Sequence, residues 1–146
     1  MVYVDTSVIV KLYFQEEYSR EAADWLKENN EAIPLTSLHE LEFTNAIHLK
    51  RFRSEITMAE TRLVMSKFDE HEKKGIFYRP HLDWPGIFDH AIDLAKKHSG
   101  TTGSRSLDIL HVASALAIRA DRLLTLDDRQ SEIADRAGLK IENFLK

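Results

Sequence analysis

The sequence predicts an α/β fold: a layered domain around a central, mostly parallel sheet of about five strands. Three observations carry that expectation. Short apolar runs alternate with longer amphipathic ones, the pattern of β-α units. Only 5 Gly and 3 Pro occur in 146 residues, which leaves little room for linkers. With 43% hydrophobic and 30% charged residues, the composition is that of a folded chain. The length suits a single domain spanning residues 1–146.

Each element has a local reason. Val2-Tyr3-Val4 is a short buried-strand pattern, and Asp5-Thr6-Ser7 offers N-cap residues for an apolar helix from Val8. Ser19 to Asn29 reads as a helix with Ala22, Ala23, Trp25 and Leu26 on its apolar side. Ala32 to Leu35 is a second strand candidate. Ser37-Leu38-His39-Glu40 is a capping-box pattern, with Glu40 at N3, opening a helix to about Arg51. Met58 to Lys74 is the next helix, ended by Gly75. Ile76-Phe77-Tyr78 gives a third strand, closed by Pro80. Pro85 to Lys97 is helical, with basic residues near its negative end and Gly100 after it. Residues 101–106 read as a polar loop. Leu107 to Arg119 is an almost wholly apolar helix, Arg122 to Leu126 a strand, and Asp128 to Ala137 a short helix stopped by Gly138. Leu139 to Phe144 is the expected last strand.

Several function classes are excluded at once. The chain has no cysteine, so it holds no disulfide framework, thiolate zinc site or catalytic thiol. The N-terminal apolar run is broken by Asp5 and Lys11, unlike a signal peptide or a membrane span of about 20 residues. A soluble, cytoplasmic protein without membrane contact is expected. The net charge of −4 argues against coating nucleic acid with a basic surface. No Ser-His-Asp set, P-loop or dinucleotide fingerprint is present.

Four acidic residues occupy unusual places. Asp5 and Asp127 each follow a short apolar strand, and open parallel sheets bind ligands outside the carboxyl ends of their strands. Each also fits a plain helix N-cap. Glu42 falls near 40° from Leu38 at about 100° per residue, inside the expected apolar stripe. Asp108 opens the apolar helix, where the helix dipole alone would favour it. His111 fits either a core histidine or a metal ligand, and Asp128 either a helix cap or an assistant to Asp127. If the four acids converge, each pair at about 4 Å repels by roughly 4 kcal/mol at an effective dielectric of 20. A divalent cation removes that penalty, and an all-oxygen donor set suits Mg²⁺ or Mn²⁺ rather than zinc.

The blocks VYVDTSVIVKLYF, LEFTNAI, SLDILHVASALAI and LLTLDDR, in that order and spacing, resemble the PIN-domain ribonucleases. The likeness is greatest to the VapC-type toxins of toxin–antitoxin pairs, and it runs from residue 2 to residue 129. The resemblance implies a three-layer α/β/α sandwich. It implies an endoribonuclease dependent on Mg²⁺ or Mn²⁺, in which a metal-activated water hydrolyses RNA. Asp5, Glu42, Asp108 and Asp127 are then the metal-holding and catalytic acids. Ser7, Asn45, Arg105 and Thr125 are candidates for orienting those acids or touching phosphate, with Asn45 on the stripe of Glu42. Lys50, Arg51 and Arg53 are further RNA-contact candidates. The implied partners are RNA, a VapB-like antitoxin and a second copy of the chain in a homodimer.

Other readings are a housekeeping PIN nuclease of RNA processing and a non-catalytic binding module with the same fold. An aspartate-nucleophile phosphatase also places Asp at strand ends, but it needs a second Asp where Ser7 stands. Setting the four candidate acids aside leaves 20 acidic residues against 20 basic ones, so the acidity does not oppose RNA binding.

Overall fold

A computed structural model describes residues 1–145, and they pack as two compact units. One unit joins Met1–Asp5 to Pro80–Lys146, and the other is Thr6–Arg79. Among the described residues all strand pairing is parallel. The backbone ladders fall into two groups, three strands in the first unit and two in the second.

In the first unit the strands are β1 (Val2–Val4), β4 (Arg122–Leu124) and β5 (Lys140–Glu142), in the order β1-β4-β5. The register sets Val2 beside Arg122 and Val4 beside Leu124. The Asp5 amide continues the ladder with a 2.8 Å bond to the Leu124 carbonyl. Every residue of β1 is buried, as expected of a strand covered on both faces. Helix α7 (Ser106–Ala117) buries more residues than any other element of this unit, among them Ile109, Leu110, Val112, Ala113 and Ala115. It packs on α5 (Trp84–Leu94), while α8 (Asp128–Arg136) turns Gln130, Ile133 and Ala134 inward.

The segment after α5 departs from expectation. Residues Ala95–Ser99 form a π-helical turn and Gly100–Thr102 a further helical turn, α6. Gly100 is therefore inside the helical path, at φ −63°, and Gly103, at φ +62°, is the residue that ends it. Gly103 has no Cβ to resist the left-handed conformation. The chain then reverses directly into Ser104 and Arg105.

In the second unit β2 (Ile33–Pro34) pairs with β3 (Phe77–Tyr78). Around them lie α1 (Thr6–Lys11), α2 (Ser19–Glu28), α3 (Ser37–Phe52) and α4 (Met58–Lys73). Phe68 is fully packed: it stacks on Phe43 at 4.0 Å between centroids, and Phe77 and Tyr13 lie at 5.4 and 5.8 Å. The α3 cap is shifted by one residue from the expected box. Thr36 is the N-cap and His39 stands at N3. The Thr36 amide donates to His39 Nδ1 at 3.0 Å, and the His39 amide donates to Thr36 Oγ1 at 3.3 Å. A buried imidazole thus takes the part usually played by Glu or Gln. Glu40 is released to pair with Arg79, which also binds Glu72.

Two outcomes follow for denaturant unfolding. Phe68→Ala should cost roughly 3–5 kcal/mol, because it opens a cavity beneath three aromatic rings. Arg79→Ala should cost about 1 kcal/mol or less, since its carboxylate partners face solvent. The hydrogen bond from Arg79 holds the Glu72 carboxyl below the usual carboxylate range. That bond therefore stabilises the fold above the ordinary carboxylate pKa and is lost as pH falls through the lowered one. Arg79→Ala should accordingly lessen the loss of stability on acidification, measured by melting from neutral pH to about pH 3.

Candidate active site

Three of the four acids belong to the first unit, and each is placed by a different element. Asp5 stands one residue past β1 and is only 8% exposed. Its Oδ1 lies 3.4 Å from Gln130 Nε2 on α8 and 4.0 Å from His111 Nε2 on α7. The other His111 nitrogen, Nδ1, shares a 2.8 Å hydrogen bond with the Tyr3 hydroxyl. His111 is a buried core histidine, and it braces the wall behind Asp5.

Asp127 stands three residues past β4 and is the N-cap of α8. Its Oδ1 accepts from the amides of Arg129 at 2.9 Å and Gln130 at 3.0 Å. Asp128 is exposed in the first turn and is not the cap. Thr125 is buried, and its Oγ1 accepts the Asp127 amide at 3.1 Å. Its hydroxyl thus shapes the turn that carries the acid.

Asp108 lies in the first turn of α7 and is 7% exposed. The Arg105 amide donates to its Oδ2 at 3.4 Å, a capping interaction. The Arg105 guanidinium makes a fork on the same carboxylate, Nε to Oδ2 at 2.8 Å and Nη2 to Oδ1 at 3.3 Å. The same Nη2 donates to Asp127 Oδ2 at 2.9 Å. One cation is therefore shared by two acids from different elements. The hydrogen bond to Asp108, then the charges of Asp108 and Asp127, hold the Arg105 pKa above its ordinary value.

Glu42 belongs to the second unit. It is half-buried, and its Oε1 accepts from Thr6 Oγ1 at 2.8 Å. Thr6 directly follows Asp5 in the chain. The buried face of α3 is centred on His39, Phe43 and Ile47, so Glu42 stands at its edge rather than in its middle. Asn45 and Leu49 face solvent for the same reason. Asn45 is exposed, about one turn on from half-buried Glu42. Ser7 is exposed. Lys50 is not a free phosphate contact: it binds Glu16 at 2.6 Å and lies over the Phe14 ring.

Among the described residues, no group of three or more His, Asp or Glu side chains stands close enough to share a metal ion. Arg105 supplies the positive charge at Asp108 and Asp127 instead. The donors still suit a hard divalent cation. All are carboxylate oxygens, and Asp108 and Asp127 already accept one cationic partner between them.

The family model of the PIN domain matches residues 2–136. The chain belongs to the PIN-domain family. It is 28% identical to Ribonuclease VapC35 of Mycobacterium tuberculosis, in strains CDC 1551 and H37Rv, across 97% of this chain and 95% of that protein. The crystal structure of FitAcB from Neisseria gonorrhoeae superposes with a TM-score of 0.73 at 15% identity. That superposition covers 99% of this chain and 98% of the other, and shows a shared fold. The PIN match runs through both units, from β1 to the end of α8. No described helix is long and apolar enough to cross a membrane.

Two contributors escaped the sequence reading. Gln130 is 1% exposed beside Asp5, and its signal is a polar residue on the apolar face of Ile133 and Ala134. Thr6 carries the contact to Glu42, whereas the family resemblance pointed to the neighbouring Ser7. Asp127→Ala should lower stability by about 1 kcal/mol through loss of the α8 cap, whereas Asp127→Asn should keep the cap and most of the stability. Thermal melting of the two variants side by side measures the difference.

Proposed function

We propose that this PIN-domain chain is a divalent-metal-dependent endoribonuclease and the toxin of a toxin–antitoxin pair. One observation carries the reading most. Asp5, Asp108 and Asp127 issue from the carboxyl ends of two paired parallel strands and the first turn of a buried helix, in a chain similar to a protein named as a ribonuclease. Glu42 is the proposed fourth acid, held by the hydroxyl of the residue after Asp5. A bound Mg²⁺ or Mn²⁺ would polarise the phosphodiester, lower the pKa of water and stabilise the leaving oxygen.

The protein's own groups do the positioning. Burial of Asp5 and Asp108 keeps bulk water from screening their charge, so it acts at full strength on a bound ligand. Thr125 and the α8 amides fix Asp127, Gln130 steadies Asp5, and Thr6 orients Glu42. Exposed Ser7 and Arg105 are the proposed phosphate contacts, and such contacts position RNA without reading its sequence. A VapB-like antitoxin and a homodimer complete the proposal.

Purified protein should cleave single-stranded or structured RNA only with Mg²⁺ or Mn²⁺ present. Asp5→Asn and Asp108→Asn should each slow cleavage by about a hundredfold or more while melting like the parent. Undiminished metal-dependent cleavage in both variants would overturn the assignment. Induction in a bacterial host should arrest growth, and the same substitutions should restore it. Normal growth with confirmed RNA cleavage in extracts would count against the toxin role.

A further inference from the structure

Resting on the metal-site reading above, we propose that Arg105 is an exchange residue. It serves as the counter-ion of Asp108 and Asp127 while no divalent cation is bound, and it moves to an RNA phosphate once one binds.

The geometry sets the two halves of this exchange. Asp108 is nearly buried, and among the described residues its carboxylate oxygens accept only from Arg105. Asp127 commits one oxygen to the α8 amides and the other to Arg105. A cation that binds these acids therefore meets a guanidinium already placed on both, and repulsion between the two positive charges favours moving the mobile one. The displacement is easy because the Arg105 side chain is 61% exposed, whereas its Asp108 partner is 9% exposed. The acids are fixed by the fold, whereas the Arg105 side chain is held by its stem and by the two acids themselves.

The freed group is already suited to phosphate. Nε and Nη2 make all the contacts to the acids, and among the described residues Nη1 donates to no protein group. A guanidinium that forks onto a carboxylate has the same planar match to a phosphate. The loop limits how far it can travel. Gly103 ends the helical path two residues earlier, and a 2.6 Å bond ties Thr102 Oγ1 to Ser104 Oγ. Arg105 thus leaves the acids without leaving their rim. Metal and RNA then favour each other: metal releases the arginine for phosphate, and phosphate keeps it from competing with metal.

The test is Mn²⁺ binding by calorimetry without RNA, on the parent, Arg105→Gln and Arg105→Lys. Arg105→Gln should bind Mn²⁺ about fivefold to tenfold more tightly, since two ion pairs no longer compete. Arg105→Lys keeps the charge and should stay within about twofold of the parent. The second readout is binding of a hydrolysis-resistant phosphorothioate RNA oligonucleotide, with and without Mn²⁺. Mn²⁺ should tighten RNA binding by the parent and should not do so for Arg105→Gln. With Mn²⁺ present, the slope of log affinity against log salt should fall by about one in that variant. Equal or weaker Mn²⁺ binding by Arg105→Gln, with the parent binding normally, would overturn the exchange and leave the metal site standing. Absence of Mn²⁺ binding by all three proteins would overturn both.

Discussion

Backbone hydrogen bonds between Val2–Val4 and Arg122–Leu124 join the start of the chain to a strand near its end. That parallel pairing decides where Asp5 and Asp127 lie. Two parallel strands in register must finish at the same edge, so the residues after Val4 and after Leu124 emerge together. Those residues are Asp5 on one side and Thr125 to Asp127 on the other. Helix α7 meets the same edge with Asp108 in its first turn, where the helix dipole favours a negative group. Each acid is thus put in place by backbone geometry, and none by a flexible loop alone.

Carboxylates gathered at one edge carry an electrostatic cost, and the fold meets it locally. Asp127 spreads its charge over two backbone amides and a guanidinium. Among the described residues Asp108 accepts only from Arg105, while Gln130 and His111 flank Asp5. The supports differ in strength. Backbone amides cannot leave, a buried glutamine scarcely moves, and an exposed arginine is held by little more than its ion pairs. The acids with replaceable partners are the ones free to change partner.

Much of this was legible in the residues. Val2-Tyr3-Val4 before Asp5, and Leu123-Leu124 before Asp127, announce strand ends by apolar content followed by an acid. Asp108 is marked by the apolar residues that follow it in its own helix. The failures share a cause: tertiary partners overrode a local pattern. The α3 cap lies at Thr36 rather than Ser37 because His39 serves as its N3 partner, and the buried side of the helix follows His39, Phe43 and Ile47 beside Leu38. Glu42 and Asn45 consequently sit further from the buried side than a stripe centred on Leu38 implies. Gly100 looks like a helix stop, yet the π-helical turn carries the chain past it to Gly103. Lys50 looks like a free basic residue until Glu16, brought near by folding, neutralises it.

The first unit is assembled from the two ends of the chain, with Thr6–Arg79 between them. During synthesis β4, Asp127 and α8 leave the ribosome more than a hundred residues after Asp5. The strand partner of Asp5 and the bridge from Arg105 to Asp127 therefore do not exist until those residues have been made. An unfinished chain has its first acid but no edge to hold it. Topology thus times the pairing of β1 with β4, and the meeting of Asp5 with α8, to follow synthesis of Gln130.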